Sequence, residues 1–147
     1  MGAGELGGFE DLPQARLHDE LGRRRCYVHP MRWTSLGLSL IEAMQLGMPV
    51  IALAATEAPR AVPPEAGAIS ADVDELVRAA RTLIDDPAEA VRRGAIAREV
   101  ALERYGLARF LEDWDSALAD ALARSPHMLR AARGGIVHTG TDLGEGR

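Results

Sequence analysis

The spacing of hydrophobic positions changes along the chain, and each change marks an element. In "DLPQARLHDELGRRR" (11–25), Leu17 and Leu21 are four apart, which predicts a helix with Asp11 as its cap and Pro13 in its first turn. "CYVH" (26–29) predicts a short strand, closed by Pro30, which has no N–H to give a ladder. After Gly37 the pattern becomes helical over 38–46, and Gly47 stops it. "MPVIALA" (48–54) is apolar throughout, as a parallel strand covered on both faces would be. "GAIS" (67–70) predicts a third strand.

The second half of the chain is helical in pattern. "DVDELVRAARTLIDD" (72–86) is a capped helix with Val73, Leu76, Val77, Ala80 and Leu83 or Ile84 on one face. Pro87 opens another helix that runs to about Tyr105, where Gly106 breaks it. "LARFLEDWDSALADALA" (107–123) carries Phe110, Trp114 and Leu118 as an apolar stripe. From Ser125 the sequence is Gly-rich without a period, which predicts a disordered tail over 125–147. Residues 1–10 are expected to be a flexible N-terminal segment, leaving 11–124 as the folded part.

Strands alternating with helices imply parallel pairing, right-handed crossovers and a doubly wound α/β sheet. Only three strands can be found. Three short parallel strands leave edges that need covering, so the expectation is part of a larger sheet.

Composition narrows the function. The 147 residues suit one domain, and two Trp, two Tyr and two Phe leave Ala, Leu, Val and Ile to build the core. A net charge of −5 without a basic stripe argues against nucleic acid as a partner. A single Cys26, inside a strand-like run, offers no disulfide framework or metal spacing and reads as a small buried residue. No run approaches transmembrane length, and the acidic start lacks a basic leader segment. A soluble, cytoplasmic chain is expected, with room for peripheral membrane contact. No cofactor and no metal are expected.

"GAGELG" (2–7) matches a dinucleotide fingerprint literally, but no strand precedes it, so it reads as a Gly-rich loop. His18, His127 and His138 read as solvated. His29 ends a strand at the side where ligands of open α/β sheets bind, and local hydrogen bonding is its simplest role. "TSLGLSLIEAMQLG" (34–47) is more informative. A strand, a Gly turn and a helix N-terminus present unpaired N–H groups and the positive end of the helix dipole, suited to phosphate. Glu42 lies about one turn further in, among Leu40, Ile41, Ala43, Met44 and Leu46, where it could reach past phosphates to hydroxyl groups.

These residues carry a resemblance. "HP…TSLGLSLIEAMQLGMPVIA" resembles the nucleotide-binding segment of retaining GT-B glycosyltransferases of group 1, whose pattern has a Glu-x7-Glu pair, a Gly-Phe-Gly turn and a closing Gly-x-Pro-Val. The resemblance extends over roughly residues 10 to 120. It implies the C-terminal half of a Rossmann-like GT-B donor domain. It also implies a nucleoside diphosphate sugar donor, an unidentified acceptor and an N-terminal acceptor domain outside this chain. By that resemblance Thr34, Ser35, Leu36, Gly37, Leu38 and Glu42 are the nucleotide-sugar-binding residues, and no catalytic acid or base falls in this half. The family's first glutamate is replaced by Thr34, and the next two positions are Ser35 and Leu36 rather than Gly and Phe. Glu42 takes the ribose-binding role of the second glutamate. The implied function is glycosyl transfer with retention, without turnover by the isolated chain. The alternative is a non-catalytic nucleotide-sugar-binding or interaction remnant that needs a separate N-terminal half.

Overall fold

Three apolar runs pair side by side in a computed structural model that describes residues 8–33 and 35–124. The Gly-rich 2–7 motif, Thr34 and the 125–147 segment lie outside the described residues. Strands β1 (Tyr27–His29), β2 (Val50–Leu53) and β3 (Gly67–Ser70) form a parallel sheet in the order β1-β2-β3. Tyr27 is opposite Val50 and His29 opposite Ala52, while Val50 to Leu53 face Gly67 to Ser70 in register.

The pleat sends successive side chains to opposite faces. Val50 and Ala52 enter a core with Leu40, Met44, Val62, Ala97 and Ala101, against which Tyr27 and Leu36 pack. Ile51 points the other way, into a smaller core with Leu76, Leu83 and Ala90. Helices therefore cover both faces, and the chain is α/β with a Rossmann-like parallel sheet. This is why "VIAL" is apolar without alternation.

Helix α2 (Leu38–Gln45) crosses between β1 and β2 and buries Leu40, Ile41, Ala43 and Met44. Its C-terminus is closed by Gly47 at φ 78, whose N–H donates to Met44 O while Met48 N–H donates to Ala43 O. That pair is a Schellman motif. Arg98 of α5 (Pro87–Tyr105) also donates to the Gln45 carbonyl at that end, a cation where the helix dipole is negative. Met48 N–H is thus used by the helix and Pro49 has none, so the strand begins at Val50 rather than at Met48 as expected. The first strand likewise begins at Tyr27, one residue later than expected.

Helix α1 (Gln14–Gly22) is shorter than the expected 11–25 helix, and Asp11 does not cap it. Pro13 takes the N-cap position without a side-chain bond, and Asp11 sits at φ 50. A residue before proline is kept from helical angles, so Leu12 separates Asp11 from the helix. Two short pieces inside the proline-rich connection, α3 (Ala58–Ala61) and a 3-10 turn at Pro64–Ala66, were not anticipated.

Helix α4 (Val73–Asp85) begins at Asp72, whose carboxylate accepts from Asp74 N–H at 2.8 Å. Asp86 does the same for α5, accepting from Glu89 N–H at 3.0 Å. Of the expected α4 face only Leu76 and Leu83 are buried. Val73, Val77 and Ile84 are exposed. Val73 and Val77 instead line an apolar groove of about 500 Å³ with Val28, Ile51 and Leu53. Glu89 binds both Arg92 (2.7 Å) and Arg93 (2.6 Å), and Arg93 donates onward to the carbonyls of Pro64 and Gly67. These bonds fix α5 to the start of β3.

The chain divides into two compact units between Gly106 and Leu107. The described part of the second is helix α6 (Leu107–Arg124). Within it Phe110 and Trp114 pack edge to face with centroids 6.1 Å apart, and Arg109 pairs with Asp113 at 2.9 Å. Among the described residues no helix is long and apolar enough to cross a membrane.

Candidate functional site

The loop from β1 to α2 is fastened from three sides. Tyr27 donates its hydroxyl proton to Ser39 Oγ at 2.9 Å, joining the sheet to the first turn of α2. The Ser35 carbonyl accepts from Thr56 Oγ1 at 2.9 Å and from Glu57 N–H at 3.0 Å, joining the loop to the segment after β2. Leu36 is half-buried against the main core. Any role of Leu36 toward a ligand is therefore a backbone role, while Ser35 and Leu38 are exposed.

Gly37 is the N-cap residue of α2. Its angles, φ −72 and ψ 127, are open to any residue. Packing is what demands glycine: a Cβ there would lie 2.7 Å from His29 Cε1 and 3.3 Å from Nε2. The imidazole thus occupies the place a side chain would need. His29 is only 5 % exposed, and its ring lies 6.0 Å from that of Tyr27. Local hydrogen bonding was the simplest expectation for this histidine. Among the described residues it makes none.

The first turn of α2 is open. Asp caps close α4 and α5, but among the described residues no side chain caps α2. Gly37 O accepts from Leu40 and Ile41 N–H, while the N–H groups of Leu38 and Ser39, one turn too early for an intrahelical partner, have no hydrogen-bond partner among the described residues. Together with the dipole they favour an anion. Glu42, one turn on, is half-buried. Among the described residues its carboxylate has no hydrogen bond or ion pair. Gly37, Leu38 and Glu42 thus share one end and flank of α2, with Ser35 and Leu36 leading into it. Thr34 lies outside the described residues.

Two further residues differ from expectation or refine it. His18 is half-buried rather than solvated, and its Nε2 is shielded without a hydrogen bond among the described residues. Cys26 is half-buried against the smaller core, and burial pushes its thiol pKa up, so it carries little thiolate. Sequence reasoning missed the contact of His29 with Gly37. The signal available was the parity of the strand: His29 shares a face with Tyr27, the face that α2 covers.

Residues 9–100 match the family described as Glycosyl transferases group 1. The chain matches no curated protein.

Proposed function

Because the chain belongs to the group 1 glycosyl transferases, we propose that the open end of α2 binds a nucleoside diphosphate sugar and serves glycosyl transfer to an acceptor with retention. The N–H groups of Leu38 and Ser39 hold diphosphate oxygens at the turn where Gly37 makes room for the His29 ring. Glu42 accepts hydrogen bonds from the ribose hydroxyls. By the family pattern the sugar-side roles fall to Thr34, Ser35 and the Leu36 backbone, and a hydroxyl at position 34 replaces a carboxylate and contributes no charge.

In the reaction the bond from the anomeric carbon to the diphosphate oxygen breaks and its electron pair leaves with the diphosphate, while the acceptor hydroxyl oxygen bonds that carbon and its proton passes to the departing phosphate oxygen. Positive charge builds on the sugar ring and negative charge on the leaving group. Preorganised N–H donors and a helix dipole aimed at that group lower the barrier electrostatically. They need no proton transfer from this half of the site.

One observation carries the reading. α2 is capped and braced at its C-terminus, and among the described residues it has no side-chain cap at its N-terminus and no partner for the half-buried carboxylate beside it. Isothermal titration with uridine, guanosine and adenosine diphosphates tests it. Glu42→Gln keeps the shape and removes the charge, and two charged-acceptor bonds contribute roughly 1.5–3 kcal/mol each. The variant should bind the preferred diphosphate about tenfold more weakly or worse. Equal binding by parent and variant would make Glu42 a structural helix residue.

A further inference from the structure

We infer that His29 completes the diphosphate subsite, donating a hydrogen bond from Nε2 to an anion held at the first turn of α2, with the Ser39 hydroxyl as a second side-chain donor. The inference rests on the placement of the diphosphate proposed above. It adds to that site an imidazole whose charge follows the ligand.

Burial and orientation carry the argument. A histidine 5 % exposed packs most of its ring against the protein, which holds the imidazole in place beside the turn. No hydrogen bond to another side chain ties up its ring among the described residues. Its Cε1–Nε2 edge is turned to the N-cap residue, with Nε2 3.3 Å from the point where a Gly37 Cβ would stand. Ser39 Oγ lies 3.7 Å from the same point. The Ser39 oxygen accepts from Tyr27, which leaves its own proton to give. The Ser39 hydroxyl, the N–H groups of Leu38 and Ser39 and the His29 Nε2 therefore gather around one glycine. The first three are donors, Nε2 donates in one neutral tautomer and in the charged form, and the common complement of such a set is an anion.

The ionisable groups on the neighbouring elements are Cys26 and Tyr27 at β1, Arg32 on the following loop, Glu42 on α2, Glu57 before α3, and Asp74, Glu75, Arg78, Arg81 and Asp85 on α4, which lines a groove with His29. None of them is bonded to the imidazole among the described residues. Burial alone lowers the His29 pKa from its ordinary 6.5, so without ligand the ring is neutral near neutral pH. A diphosphate beside it favours the charged form. Binding then takes up a proton, and affinity falls as pH rises through the pKa of the complex.

The test follows the His29 Cε1–H resonance of the 147-residue chain by NMR between about pH 5 and pH 8, with and without saturating inorganic pyrophosphate. The His29→Gln spectrum separates this signal from those of His18, His127 and His138. Pyrophosphate should shift the amide signals of Leu38 and Ser39 and raise the His29 pKa by about one unit or more. Shifted amides with an unmoved His29 titration would overturn the inference and leave the anion site standing. Unmoved amides and an unmoved His29 would remove both. Gln at position 29 retains a donor where Nε2 stood. That variant should lose the parent's gain in pyrophosphate affinity on acidification. An unchanged pH slope in His29→Gln would also overturn the inference.

Discussion

The phenol of Tyr27 and the hydroxyl of Ser39 meet at 2.9 Å across the gap between β1 and the first turn of α2. The bond is exposed, and its value lies in where it acts: it sets the distance between the strand and the end of the helix that we assign to the ligand. Tyr27→Phe should lower unfolding stability by about 0.5–1.5 kcal/mol in urea denaturation. Ser39→Ala should cost a similar amount, and the double variant little more than either alone. Additive losses would show that the two side chains do not interact in solution.

Gly37→Ala tests the packing of the turn without disturbing its backbone. The angles at Gly37 suit alanine, but the new methyl would meet His29 Cε1 at 2.7 Å. Either the ring rotates away or the turn lifts, and both displace donors from the proposed diphosphate site. Calorimetric titration should show nucleoside diphosphate affinity reduced about tenfold or more, with the circular dichroism spectrum retained. Full affinity in Gly37→Ala would mean that the imidazole and the turn do not define the site.

Acid stability should depend on Glu89. Hydrogen bonds from Arg92 and Arg93 hold its carboxyl pKa down, from the ordinary 4.5 to about 2. The folded state therefore binds this proton less readily than the unfolded state. The stabilisation is complete above 4.5 and is lost as pH falls through about 2. Thermal melts of the parent should weaken more steeply across that window than those of Glu89→Gln. Parallel acid profiles would place the two arginines in solvent instead.

Much of this was legible in the sequence because local rules and tertiary structure agree in the second half of the chain. Asp72 and Asp86 are caps by type and by position, and the expected α5 bounds, Pro87 and Tyr105, are the observed ones. Gly47 stops α2 as its type suggests. The failures have a common cause. Leu83 and Ile84 are adjacent on one helix, and only the position of the sheet decides that Leu83 is the buried one. The same holds for Val73 and Val77, which fit an apolar stripe by period but face a groove. Asp11 has the chemistry of a cap and lost the position to Pro13. At the site, the turn and Glu42 could be read from local pattern. The contact between His29 and Gly37 joins two elements, so strand parity gives the face of His29 but not the residue it meets there.

That contact also changes what it means for position 37 to be glycine. The backbone there makes no demand, so the restriction is not a property of one residue but a volume shared by two. Room given up by one side chain is room available to the other. A chain of this family with a smaller group in place of His29 could carry a larger one in place of Gly37 and keep the same turn, at the expense of the imidazole. The two positions are thus one choice, made between an open backbone and a buried ring.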